Sequence, residues 1–116
     1  MAEQLTVVVD AENVRRSVWP NVSRGRLVEL VQRWAATHDC DALVVFDGEP
    51  AGDGDERVRI VGSGAESADD WIAREIASLG RHWLVTSDRE LRRRAGEAAE
   101  RVIGGGSFVR ELTATD

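Results

Sequence analysis

The sequence predicts an α/β fold in a single domain over residues 1–116, a three-layer sandwich with a mainly parallel central sheet of about five strands. Three observations predict it. Short runs rich in β-branched residues alternate with stretches of helical period, an order that calls for crossover connections between parallel strands. The length suffices for one such core but not for two. Three of the strand-to-loop junctions carry an aspartate (Asp10, Asp47 and Asp88), and in parallel sheets that edge is where ligands gather.

The elements follow in order. Leu5 to Val9 is an apolar run ending at Asp10, read as a buried strand. Asn13 to Asn21, with Pro20, reads as a turn or short helix. From Ser23 to about Thr37 an amphipathic helix places Leu27, Leu30, Val31 and Trp34 on one stripe. Ala42 to Phe46 is a second buried strand, and GEPAGDGDE after it is a polar loop, the segment expected to be mobile. Val58 to Val61 is a short third strand. Ala68 to Leu79 is a helix, His82 to Thr86 a strand, and Asp88 to about Ala99 a helix. Arg101 to Ile103 is a last strand, GGGS a loop, and SFVREL a tail of one or two helical turns. Trp34 and Trp83 read as core. Trp19 and Trp71 fall outside the core stripes and suggest a surface for a homodimer or protein partner.

Composition narrows the function. The chain is 42% hydrophobic and 31% charged, a balance that excludes disorder. No apolar run approaches the roughly 20 residues of a membrane span, and the first residues lack the basic start of a signal peptide. A cytoplasmic protein with no membrane partner is expected. Cys40 is a lone cysteine, and His38 and His82 are the only histidines, which excludes a disulfide framework and a zinc cluster. The net charge of −6 speaks against nucleic acid, but all 15 basic residues are arginine. They group as Arg15, Arg16, Arg24, Arg26 and as Arg89, Arg92, Arg93, Arg94, and the guanidinium fork suits phosphate oxygens.

Helix-capping rules then sort the acids. Ser67-Ala-Asp-Asp70 reads as a capping box, with Ser67 accepting from the Asp70 amide and Asp70 reaching back. At about 100° per residue Asp70 points away from the stripe of Ile72 and Ile76, beside Arg74, whereas Asp69 lies on that stripe. A carboxylate on the sheet side of a helix is costly unless paired or metal-bound. Ser87-Asp-Arg-Glu90 reads as a second box that gives cap duty to Ser87 and Glu90 and leaves Asp88 unengaged. Asp10, Asp69 and Asp88 thus gather at one sheet edge. Such a set cannot stay ionised at close range without a cation, and oxygen donors point to Mg²⁺ or Mn²⁺. Asp47 is a further candidate ligand, although Asp-Gly is also an ordinary turn pair. VGSGAES imitates a dinucleotide fingerprint, but Ser67 replaces its last glycine and Glu66 and Asp69 would repel a pyrophosphate. A P-loop and a response-regulator receiver both need a lysine that this chain lacks.

The segments VVVDAENV, VVFDG, GAESADDWIAREI and LVTSDRELRRRAG followed by GGGSFVREL, in that order, resemble the YacP-like branch of the NYN domains, which are PIN-like ribonucleases. The family pattern falls on Asp10 and Asn13, Asp47, Glu66 to Asp69, Ser87 and Asp88, and Ser107 with Glu111 and Leu112. It departs at Ala11-Glu12, where the family has a glycine and an aromatic residue. The resemblance implies a PIN-like sandwich and a metal-dependent endoribonuclease that acts on RNA. It implies that Asp10, Asp69 and Asp88 hold one or two Mg²⁺ or Mn²⁺ ions, that Asn13 orients Asp10 or a metal-bound water, and that Asp47 assists. Ser87 is expected to touch a phosphate besides capping, and Arg92 and Arg93 to flank the RNA. Two alternatives share the fold: a non-cleaving RNA-binding or interaction module, and the toxin half of a PIN-type toxin–antitoxin pair.

Overall fold

The computed structural model describes residues 4–114. Its elements are β1 (Thr6–Asp10), α1 (Ala11–Arg15), α2 (Arg24–His38), β2 (Asp41–Phe46), β3 (Val58–Gly62), α3 (Ala68–Glu75), β4 (His82–Val85), α4 (Arg89–Ala95), β5 (Arg101–Ile103) and α5 (Gly105–Ala114), with a 3-10 turn Ile76–Ser78 ending α3. The five strands form one sheet in the order β3-β2-β1-β4-β5, every pair parallel. The expected α/β sandwich with a five-stranded parallel sheet is therefore what the chain forms.

The central strands β1 and β2 are nearly continuous apolar runs because both faces of the sheet are covered. Alternation along the pleat sends Val7, Val9, Val44 and Phe46 to the face packed by α1, α2 and α5. It sends Val8, Leu43, Val45 and Leu84 to the face packed by α3 and α4. Trp34 of α2 stacks on His38 at 4.4 Å and meets the Phe108 ring of α5 edge-on at 5.2 Å, fastening two helices to each other above the sheet. Fully burying side chains of this size stabilises by about 2 kcal/mol each.

Several local expectations are corrected. GGGS is not a loop, since α5 begins at Gly105. A Cβ there would meet Ser17 Oγ at 2.2 Å and Asn13 Oδ1 at 3.2 Å, so the close approach of α1 and α5 demands glycine and overrides its poor helix propensity. Helix α4 ends at Ala95 rather than near Ala99, because residues 96–100 must carry the chain back to pair β5 with β4. The loop after β2 is tied down: Gln32 Nε2 donates to Asp53 O at 2.8 Å, and Asp55 Oδ1 accepts from Arg57 N and Val58 N at 2.9 and 2.8 Å. Trp71 is half-buried against the α3–α4 core. Trp83 is only half-buried, covered on its outer side by Arg101 at 4.9 Å. Trp19 is 89% exposed.

Candidate active site

Strands β1 and β4 are neighbours although β2 and β3 lie between them in sequence. The order in which strands are added thus reverses between β1 and β4, and the carboxyl ends at such a switch point are where α/β sheets open a crevice for ligands. A cleft of about 700 Å³ lies at the ends of these strands, and Asp10, Asp47, Asp69 and Asp88 all line it.

Asp10 ends β1 at the bottom of the cleft and is 3% exposed. Thr86 Oγ1 donates to Asp10 Oδ2 at 2.8 Å and accepts from the Asp88 backbone N–H at 3.1 Å, so one buried hydroxyl joins the ends of the two strands. That bond alone would hold the carboxyl low. Burial prevails, and with the charges of Asp69, Asp47 and Asp88 it pushes the Asp10 pKa up to about 7. Asp69 reaches the cleft from the first turn of α3, and its pKa is also raised, first by burial and then by the charges of Asp88 and Asp47. Asp47 Oδ1 accepts from Ala68 N at 2.7 Å, which ties the end of β2 to the start of α3.

Asp88 corrects the expected division of labour. It is itself the N-cap of α4, with Oδ1 accepting from Leu91 N at 2.9 Å. Ser87 does not cap α4: its Oγ accepts from Gly105 N, the first amide of α5, at 2.8 Å, and Glu90 is turned outward onto Arg93. In the first box Ser67 does cap α3, accepting from Asp70 N at 3.1 Å, but Asp70 pairs with Arg94 at 2.8 Å instead of reaching back. Arg74, expected beside Asp70, pairs with Glu66 and Glu75. Asn13 Oδ1 accepts from Ser87 N at 2.8 Å, so Asn13 braces the β4–α4 turn and does not hydrogen-bond Asp10.

The arginines also differ from expectation. Neither Arg92 nor Arg93 lines the cleft. Arg92 Nε donates to Thr86 O at 2.8 Å and buttresses the end of β4, while Arg93 is spent on Glu90 at the surface. The cations that do line the cleft are Arg16 and Arg110, from opposite ends of the chain, beside Ser17 and Ser107. Arg110 Nη2 donates to Ser107 Oγ at 3.2 Å. A helical phase argument could have found these residues, since Arg16 and Ser17 lie one turn beyond Asn13 and Arg110 one turn beyond Ser107. Thr86 was likewise legible only as the residue before Ser87-Asp88.

The donor set suits a hard cation. Asp10, Asp47 and Asp88 each commit one oxygen to the protein and have no partner for the other among the described residues. Among those residues no three acidic, histidine or cysteine side chains are close enough together to hold a metal ion between them. Magnesium tolerates such a site, because it keeps several waters and needs only one or two direct carboxylates.

Sheet order, layers and an acid-lined cleft at the β1/β4 switch place the candidate site where parallel α/β domains bind their ligands. The YacP-like NYN domain model matches residues 8–116, and the chain belongs to that family, which implies a ribonuclease-type function. Two solved structures of Rae1 (YacP) from Bacillus subtilis share the fold. One, a tryptophan-to-leucine mutant, superposes with a TM-score of 0.76 at 17% identity, covering 97% of this chain and 77% of that one. The other gives 0.71 at 20% identity, covering 98% and 75%. No curated protein matches. No helix among the described residues is long and apolar enough to cross a membrane.

Proposed function

We propose that this chain is a metal-dependent endoribonuclease that cleaves RNA phosphodiester bonds in the cleft between β1 and β4, and that it works in the cytoplasm. The observation that carries the reading is Asp10, a carboxyl 3% exposed whose pKa is pushed up to about 7 with three more aspartates and Glu12 lining the same cleft. Folding gains nothing from such a group, and strongly perturbed acids in clefts mark functional sites. Asp10, Asp69 and Asp88 are the residues that would hold one or two Mg²⁺ or Mn²⁺ ions, with Asp47 beside them. When bound, such an ion supplies an activated water and stabilises the charge on the leaving oxygen.

The chain's own groups account for the rest. Thr86 fixes the rotamer of Asp10 and keeps its second oxygen turned to the cleft. The bond from Ser87 N to Asn13 Oδ1 leaves the Asn13 amide nitrogen as a donor, and Ser87 Oγ, accepting from Gly105, keeps its own proton to give to a phosphate oxygen. Arg16 and Arg110 counter the charge that phosphates would bring to an acidic cleft. The test is cleavage of a mixed-sequence RNA with Mn²⁺, with Mg²⁺ and with EDTA. Cleavage with either metal that disappears in EDTA and in Asp10→Asn is the expected result. Cleavage that persists in EDTA, or none under any condition, contradicts the reading.

A further inference from the structure

We propose that residues 16–23 form a substrate-reading loop, in which Trp19 stacks on a nucleobase of the strand in the cleft while Arg16 holds a neighbouring phosphate. This rests on the ribonuclease reading above. Trp19 is the large apolar side chain left strongly exposed among the described residues, 89% in solvent. It lies two residues beyond Ser17 and three beyond Arg16, both of which line the cleft. The loop is closed at its base, where Val22 N donates to Arg15 O at 2.9 Å, and Ser17 Oγ donates to Asn13 O at 2.7 Å.

Its two feet are pinned by one buried carboxylate. Glu12, 5% exposed, sets Oε1 against Arg15 at 3.1 Å and Arg16 at 3.4 Å, and Oε2 against Arg24 at 3.1 Å. Arg15 and Arg16 enter the loop and Arg24 leaves it, so Glu12 is a positioning residue for both ends. Three guanidinium groups on one carboxylate leave the base of the loop positive. An exposed aromatic side chain on the same loop as a cleft-lining arginine supplies the two kinds of contact that single strands use, stacking for a base and charge for a phosphate. Bases inside a duplex are not free to stack in this way. One exposed ring is also too small a patch to hold a second copy of the chain.

The experiment compares wild type, Trp19→Ala, Trp19→Phe and Arg16→Gln for binding to a fluorescent RNA strand of about twelve nucleotides, in EDTA so that the strand stays intact. The same strand with abasic positions and an all-duplex hairpin serve as controls, and melting temperatures check folding. Trp19→Ala should weaken single-strand binding about tenfold with an unchanged salt slope, and Trp19→Phe should restore most of it. Neither should alter binding of the abasic strand or the hairpin. Arg16→Gln should reduce the salt slope by about one phosphate for every strand. Equal affinity of wild type and Trp19→Ala for the normal strand overturns the proposal, as does a Trp19→Ala protein that binds normally but loses self-association in sedimentation. A wild type that cleaves RNA yet shows no Trp19 effect spares the nuclease reading. A wild type that neither binds nor cleaves RNA overturns both.

Discussion

The junctions after β1 and β4 carry the same sequence grammar, an aspartate between an apolar strand and a helix, and solve it in opposite ways. Asp88 is half-buried and caps α4, so the amide at Leu91 and the helix dipole compensate its charge. Asp10 stands at the N-terminus of α1 but makes no capping bond, lies at the bottom of the cleft, and has one neutral hydroxyl as its partner. One acid is settled by the fold. The other is tolerated by it, and its pKa of about 7 measures how poorly. Position after a strand does not decide how a carboxylate is held; the partners the fold supplies do.

Four predictions break or sharpen that contrast, from the largest effect to the smallest. Asp10→Asn and Asp88→Asn should both lose more than about a hundredfold in metal-dependent cleavage, above the range for residues that only orient ligands. A single-turnover assay on a labelled strand reads this. The two then part company in stability. In EDTA, unfolded Asp10 releases its proton near 3.8, while the folded form holds it to about 7. Between those values the folded state binds the extra proton, so wild-type stability should fall as pH rises, by up to about 1.4 kcal/mol per pH unit, and level off above the folded pKa. Asp10→Asn should flatten that slope and be the more stable protein at pH 8, which urea denaturation across pH would show.

Asp88 and the helix caps give the smaller effects. Asp88→Asn should leave stability in EDTA unchanged, because Asn caps as well as Asp, whereas Asp88→Ala should cost about 1 kcal/mol. A large loss in Asp88→Asn would mean that its charge, not its capping bond, is structural. Ser67→Ala should also cost about 1 kcal/mol, and Asp70→Ala well under that, since its pair with Arg94 is partly solvated. Thermal melts of the pair rank them, and the reverse order would restore Asp70 to the capping box.

Much of this was legible in the chain. The buried strands declared themselves because both sheet faces are covered, which makes Thr6–Asp10 and Asp41–Phe46 nearly continuous apolar runs. Asp69 stood out through helix phase alone, and the structure lines the cleft with it. What stayed hidden depends on tertiary contact. Ser87 and Asp88 are equally good caps by sequence, and the choice is made by Gly105, which takes the Ser87 hydroxyl from another element. The helix in GGGS follows from the packing of α1 on α5, not from propensity. Arg92, Arg93 and Arg94 cluster in sequence yet disperse onto Thr86, Glu90 and Asp70, while Arg16 and Arg110 meet from distant positions. Charge runs along a helix wind around it, so adjacency in sequence is weak evidence of a shared face.

The most direct measurement is the melting temperature of wild type, Asp10→Asn and Asp88→Asn at pH 8 across a Mn²⁺ or Mg²⁺ titration. A cation bound only by the folded form must raise the wild-type melting temperature as its free concentration increases. Asp10→Asn should start higher without metal, freed of its buried charge, and stay nearly flat; Asp88→Asn should start level with wild type and gain little. Equal metal-induced shifts in all three proteins would contradict a cation shared by these carboxylates.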